Sequence, residues 1–194
     1  MSLRELHLGL GANLDDPAST LADAIEAIGR VPGWSVAAVS PLYRTRPVGF
    51  ADQPDFYNAA VALRAELAED PAAAAVEVLV ACKRLEALFG RVATFRNGPR
   101  RLDIDIIAMG DAAVIQPRPR GTESDTDDRP LVVPHPSAQE RLFVLAPLAD
   151  IAPHLRAPGW RGTARELRDA QAQVEGEGSV QRLGAWDERA RRWV

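Results

Sequence analysis

The 194-residue sequence contains a single cysteine, Cys82. No intrachain disulfide is possible, and the composition fits a reducing cytosol. Val78, Leu85 and Phe89 surround Cys82 at helical spacing, which makes it a small buried hydrophobe rather than a nucleophile. Nowhere do about 18 apolar residues follow one another, the length a membrane-spanning helix needs, so no span is expected. The opening residues, MSLRELHLGLGANL, carry Arg4 and Glu5 and lack the long apolar core of a signal peptide. Net charge is −4, so no overall field favours nucleic acid and any anion site has to be local. There is no internal repeat. These absences point to a soluble, cytoplasmic chain, with a monomer as the default.

What is present is ordinary globular material, 46% hydrophobic and 26% charged, sized for one domain spanning 1–194. The informative stretch is Gly90 to Ile107, GRVATFRNGPRRLDIDII. Its first half holds Arg91, Arg96, Arg100 and Arg101 without an acid, and Asn97-Gly98-Pro99 signals a turn. Its second half alternates apolar and acidic residues, a strand signature that puts Asp103 and Asp105 on one face, roughly 6–7 Å apart. Carboxylates beside guanidiniums suit Mg²⁺ and a polyphosphate: oxygen ligands take the metal and arginine forks take phosphate. The same residues also fit the solvated face of an amphipathic sheet beside a solvated loop. On the residues alone both readings stand, with adjacency and like-charge repulsion on one face arguing for a cation.

Taken in order, Leu6, Leu8 and Leu10 mark a first strand. Asp16-Pro17 caps a helix with a Leu21, Ile25 and Ile28 stripe, stopped by Gly29 and Pro32. Trp34 to Tyr43 reads as one strand, Arg44 to Asn58 as a long functional loop, and Phe56 to Leu63 as a third strand. A helix runs from Pro71 to Phe89 with Gly90 at C′. After the Asp-x-Asp strand come a short strand at Ala113 to Ile115, a flexible loop over 116–129, and an extended Val132 to Pro136. Ser137 with Glu140 looks like a capping box opening a helical turn. Leu142 to Ala152 is apolar and proline-punctuated. A helix is expected near Thr163 to Val174, followed by flexible Glu175 to Gly178 and a charged tail; residues 160–194 have no assigned role. The element order predicts an α+β ferredoxin-like sandwich, with helices on one face of a mostly antiparallel sheet.

Four motifs in register from about Leu6 to about Leu155 resemble the 6-hydroxymethyl-7,8-dihydropterin pyrophosphokinase family of folate biosynthesis. They are Leu10-Gly11-Ala12-Asn13-Leu14, Gln53-Pro54-Asp55-Phe56-Tyr57-Asn58-Ala59-Ala60, Gly98-Pro99-Arg100-Arg101-Leu102-Asp103-Ile104-Asp105-Ile106, and Pro134-His135-Pro136 with Glu140 to Leu145. The third is the most specific. The resemblance implies transfer of the β,γ-pyrophosphoryl group of ATP to the pterin's hydroxymethyl oxygen, releasing AMP, with two Mg²⁺ ions held by Asp103 and Asp105. It implies Arg91 and Arg100 as phosphate-binding arginines, His135 and Arg141 on the other side of the nucleotide, and Lys83 and Glu86 as further nucleotide-side residues. It implies a pterin ring sandwiched by Phe56 and Phe143, read by Asn58, with backbone contacts near Thr45 and Val48. Each of these residues also has a plain alternative as core, turn or surface. No protein nucleophile is needed. Partners are small molecules only.

This chain departs from the family pattern in places. Asn97 stands where many relatives carry a tryptophan lid. Ala93 stands where a second loop arginine is frequent, with Arg96 able to supply its charge. Lys83 replaces a frequent glutamine, and the 116–129 loop is longer than usual. No metal ligand is lost, so activity with altered loop closure is expected. A nucleotidyltransferase would place a Gly-Ser turn shortly before the acids, whereas the comparable Gly11-Ala12 lies far upstream. An RNA-binding module would not display Asp103 and Asp105 beside its phosphate grip.

Overall fold

The computed structural model describes residues 1–47, 49–91, 98–119 and 129–194. Strand β1 (Ser2–Ala12) is followed by helix α1 (Pro17–Ile28), then β2 (Trp34–Val39), β3 (Leu42–Thr45) and β4 (Phe56–Leu67). Helix α2 (Pro71–Leu88) leads to β5 (Asp103–Met109), β6 (Val114–Gln116) and β7 (Leu131–Val133). Helices α3 (Leu142–Ile151) and α4 (Ala164–Glu175) precede β8 (Val180–Gly184), β9 (Trp186–Asp187) and β10 (Arg192–Trp193). The main sheet runs β5-β1-β4-β3-β8, with β2 also on β4. Its pairings are antiparallel.

The helix starts follow local chemistry. The Asp16 side chain accepts the Ser19 N–H at 3.2 Å ahead of Pro17, and Asp70 does the same for Ala73 at 2.8 Å ahead of Pro71. Gly90 takes φ +73° just past α2, a left-handed position glycine fills without strain. Thr163 and Glu166 form a reciprocal capping box on α4. The expected box at Ser137 does not form. Residues Ala138–Glu140 make a 3₁₀ turn, Ser137 gives no side-chain cap, and Glu140 turns instead to Arg161.

Alternation along the strands sends Leu6, Leu8, Leu10, Val61, Leu63, Ile104 and Ile106 to one face, against Leu21 and Ile28 of α1 and Val78 and Cys82 of α2. Cys82 is fully buried there, and burial pushes its thiol well above the ordinary range. The opposite face, with Ala60, Ile107 and Ala108, is covered by Leu148 and Ala149 of α3 and Ala164 of α4. Helices therefore pack on both faces rather than one. The Leu142 to Ala152 stretch is a helix despite Pro147, which removes the bond to the Phe143 carbonyl but not the apolar face.

Three further expectations change. The stretch from Glu175 to Gly178, expected to be flexible, begins as the last residue of α4 and continues into a 3₁₀ turn at Glu177–Ser179. The single strand over Trp34 to Tyr43 is two, broken at Ser40-Pro41, where proline offers no N–H to a ladder. The C-terminal segment is integral to the sheet: β8 pairs with β3, and the β9–β10 hairpin stacks Trp186 edge-on to Trp193 at 4.9 Å. Trp193 Nε1 donates to the Ser40 carbonyl at 2.9 Å, which anchors the tail over the strand break. Of the 116–129 loop, Gln116 closes β6 and donates to the Ala72 carbonyl, while 120–128 lie outside the described residues. No helix among the described residues is long and apolar enough to cross a membrane.

Candidate active site

The site lies on the sheet face shared with α3, at the end that α3 leaves open. Gly11 on β1 is paired with Asn58 of β4 on one side and Asp103 of β5 on the other; Gly9 is likewise between Ala60 and Asp105. Both glycines leave the floor low. A Cβ at Gly11 would come within 3.4 Å of Asn58 Oδ1, and one at Gly9 within 3.2 Å of Ile107 Cδ1. Above this floor is a cavity of about 450 Å³.

One wall is charged. Asp103 Oδ1 accepts from Arg91 Nη1 and Oδ2 from Arg100 Nη1, each at 2.6 Å. Burial alone would raise the Asp103 carboxyl, but the two guanidiniums outweigh it and hold the group below the usual carboxylate range. Arg91 Nη1 also reaches Glu86 Oε1 at 2.6 Å, and Lys83 Nζ reaches Glu86 Oε2 at 2.7 Å. Glu86 is 1% exposed and accepts the Ile104 N–H at 2.8 Å. It thus ties α2, Arg91 and the acidic strand together from behind the cavity. Burial raises its carboxyl, against the pull of Lys83. Lys83, Glu86 and Arg91 stand behind the lining, whereas Arg100, Asp103 and Asp105 form part of it.

His135 completes this side. Its backbone N–H donates to the Ile107 carbonyl at 2.9 Å and its Nδ1 accepts the Ser137 N–H at 3.2 Å, so the neutral ring carries its proton on Nε2. Burial lowers its pKa, with Asp105 opposing.

The rest of the lining carries the two aromatic rings among polar groups. Phe56 at the start of β4 and Phe143 in the first turn of α3 both line the cavity, with Thr45, Asn58 and Arg141. Asn58 Nδ2 donates to Thr45 Oγ1 at 2.9 Å, leaving its amide fixed with both groups buried. The Arg141 guanidinium lies over the Phe143 ring, 5.7 Å from its centroid, within cation–π range. Val48, Ala93, Arg96 and Asn97 lie outside the described residues.

A sequence profile of the family described as 7,8-dihydro-6-hydroxymethylpterin-pyrophosphokinase matches residues 7–153. The chain belongs to this family. It is 40% identical over 159 residues to a 2-amino-4-hydroxy-6-hydroxymethyldihydropteridine pyrophosphokinase of Pseudomonas aeruginosa, covering 82% of this chain and 87% of that one. It is 41% identical over 172 residues to the protein of the same name from Methylorubrum extorquens, covering 89% and 94%. Among solved structures it resembles a Plasmodium falciparum HPPK-DHPS triple mutant, with TM-score 0.73 and 16% identity. That match covers 96% of this chain and 49% of the other, so the chain spans about half that protein's length, and the likeness speaks to fold alone.

Three residues of this pyrophosphokinase-family chain escaped the sequence reading of the site. Asn13 is buried and exchanges two bonds with Arg100 through its own N–H and Oδ1, while Nδ2 donates to Gln53 Oε1 and the Pro54 carbonyl. It locks the loop before Phe56 to the loop before Asp103; its place in the Gly-Ala-Asn turn was the available signal. Arg118 sits within the field of Asp105 and Glu86, and its buried Nη1 has no hydrogen-bond partner among the described residues. Its loop composition hid it. Glu175 of α4 lines the cavity from far along the chain, without any sequence signal.

Proposed function

We propose that this chain transfers the β,γ-pyrophosphoryl group of ATP to the hydroxymethyl oxygen of 6-hydroxymethyl-7,8-dihydropterin, forming the pterin diphosphate and AMP in folate biosynthesis. As a member of the pyrophosphokinase family, it is a transferase of pterin metabolism. The observation that carries the finer reading is the meeting, in one cavity, of the Asp103, Asp105 and Arg100 wall with the Phe56 and Phe143 wall. One wall suits a polyphosphate and the other a flat heterocycle.

Asp103 and Asp105 would hold Mg²⁺, two ions being expected. The donor set fits: Asp103 and Asp105 both line the cavity and offer the carboxylate oxygens that a hard divalent cation prefers. Mg²⁺ habitually takes one or two carboxylates and completes its shell with phosphate and water. Bound there it would neutralise phosphate charge. The chain's own residues do the rest. Arg100, held by Asp103 in the lining, would present a cation to the charge that builds as the α–β bridge breaks, and Arg91, held by Asp103 and Glu86, would add its charge from behind. His135 and Arg141 would bind the nucleotide from the other side, with Lys83 and Glu86 supporting it from α2. Phe56 and Phe143 would sandwich the pterin, with Asn58, Thr45 and the backbone near Val48 reading its polar edge; offset stacking adds about 0.5–1.5 kcal/mol beyond area burial.

The antiparallel order β5-β1-β4-β3 supports a ferredoxin-like sandwich, and β8 joining that sheet supports a single domain over 1–194. A cytoplasmic monomer acting on small molecules alone is the accompanying proposal.

Product analysis tests the reading. Purified protein with ATP, Mg²⁺ and hydroxymethyldihydropterin should form AMP only when the pterin is present, without free pyrophosphate. Free pyrophosphate would mean nucleotidyl transfer to the acceptor. No AMP despite ATP binding would mean that the departures at Asn97, Ala93 and Lys83 have disabled the site or redirected it to another acceptor.

A further inference from the structure

The family match ends at residue 153, yet part of the cavity wall comes from beyond it. Gln171 and Glu175 are four apart on α4 and share one of its faces. Gln171 Nε2 donates to the Glu140 carbonyl at 3.1 Å and to Glu175 Oε1 at 2.9 Å. Glu175 Oε1 also accepts the Leu142 N–H at 2.9 Å.

Between those two anchored groups stands Arg141, extended at φ −133° and ψ 108°. The peptide before it is gripped through its carbonyl by Gln171, and the peptide after it through its N–H by Glu175 and through its carbonyl by the Val144 and Leu145 N–H groups of α3. Two fixed peptide planes determine the two backbone angles of the residue they flank. The grip therefore sets the direction in which Arg141 leaves the backbone, over the Phe143 ring and into the cavity. Leu142 is the first residue of α3, and its N–H is one of the helix's orphan donors. Arg141 gives no side-chain cap, so the cap comes from Glu175 on another helix, as an anion at the positive end of the helix dipole. At the far end of α3 the Tyr43 hydroxyl donates to Asp150 at 2.6 Å, so the helix is pinned at both ends.

We propose that Gln171 and Glu175 form a positioning clamp for Arg141, a piece of the substrate site supplied from beyond the residues that the family profile matches. The proposal rests on the pyrophosphokinase reading for its kinetic consequences, and on geometry alone for the clamp itself.

The test uses the full chain. Glu175→Ala should lower kcat/KM in the pterin-dependent AMP assay about tenfold, since a small misplacement of a binding group has effects of this size or larger. Glu175→Gln, whose side-chain carbonyl still accepts the Leu142 N–H, should stay within about threefold of wild type. A double-mutant cycle on calorimetric ATP affinity separates positioning from general support. If Glu175 acts through Arg141, the loss from Glu175→Ala should shrink to less than about twofold in an Arg141→Ala background. A loss of equal size in both backgrounds, or a Glu175→Gln variant as impaired as Glu175→Ala, overturns the clamp. Amide exchange supplies a readout that needs no turnover: the Leu142 amide should exchange at least about tenfold faster in Glu175→Ala and keep its wild-type rate in Glu175→Gln. Unchanged exchange in Glu175→Ala also overturns the proposal. A wild-type chain that forms no pterin-dependent AMP overturns the functional reading instead, and the exchange experiment still decides the clamp.

Discussion

Asp103 and Asp105 are two residues apart on one face, yet their surroundings differ. Both oxygens of Asp103 are occupied by arginines, so its removal would leave Arg91 and Arg100 without their partner. Asp105 lines the cavity and is the cleaner probe. Asp105→Ala should lower kcat by on the order of 10²-fold or more, because charge stabilisation is lost where phosphate charge develops. The melting temperature should hold, since a like charge beside Asp103 disappears with it. Unchanged kcat at saturating Mg²⁺ would remove Asp105 from the metal site. Phe143 carries a second test at this scale. Phe143→Ala should raise the pterin Kd about 3–10-fold through lost stacking, and raise the ATP Kd by less, through the lost support of Arg141. Calorimetry with each ligand separately measures this, and equal losses for both would reassign Phe143 to packing.

At the scale of elements, the bend between β2 and β3 decides where Thr45 lies relative to Asn58. Ser40 sustains that bend. Its N–H donates to the Ala60 carbonyl at 2.9 Å, its Oγ accepts the Ala60 N–H at 2.8 Å, and its carbonyl receives Trp193. Ser40 and Ala60 are both fully buried, so losing the hydroxyl leaves an amide without a partner away from water. Ser40→Ala should therefore destabilise by about 1–3 kcal/mol, a fall in Tm of roughly 3–10 °C for a chain of this size. A calorimetric Tm unchanged from wild type would show that the N–H finds another acceptor. Pro147 also hides α3 in the sequence. Proline in the middle of an apolar stretch reads as punctuation, but Pro147 forfeits one backbone bond while α3 still buries Leu145 and Leu148 completely.

For the whole molecule, stability should depend on pH through His7. This residue of β1 is 5% exposed, and burial holds its pKa below the ordinary value, with Glu5 opposing. The folded state favours the neutral ring, while the unfolded chain takes up a proton near about pH 6.5. Its contribution is thus fully present above that pH and is lost as pH falls toward the lower folded pKa. In a His7→Gln variant the decline in Tm from about pH 7.5 to about pH 5 should be shallower than in wild type. His135 is retained in both proteins, so the difference in slope isolates His7. Identical slopes would mean that His7 gains no protonation difference on folding.

The sequence by itself determined the charged half of the site and the elements with local signals. Asp103 and Asp105 share a face because a strand alternates, and Arg100 stands three residues away. α1, α2 and α4 start at caps written into neighbouring residues: Asp16-Pro17, Asp70-Pro71 and Thr163 with Glu166. Only the tertiary structure decided what depends on contact between distant segments. The second helical layer, the docking of β8 on β3, the Asn13 bridge from Arg100 to the Gln53-Pro54 loop, and the grip of Gln171 and Glu175 on Arg141 all join residues tens of positions apart or more. Backbone amides and carbonyls make many of those bonds, and every residue has them. A hydrogen bond to a backbone group leaves no residue-type pattern at its receiving end, so its partner became visible only once the chain was folded.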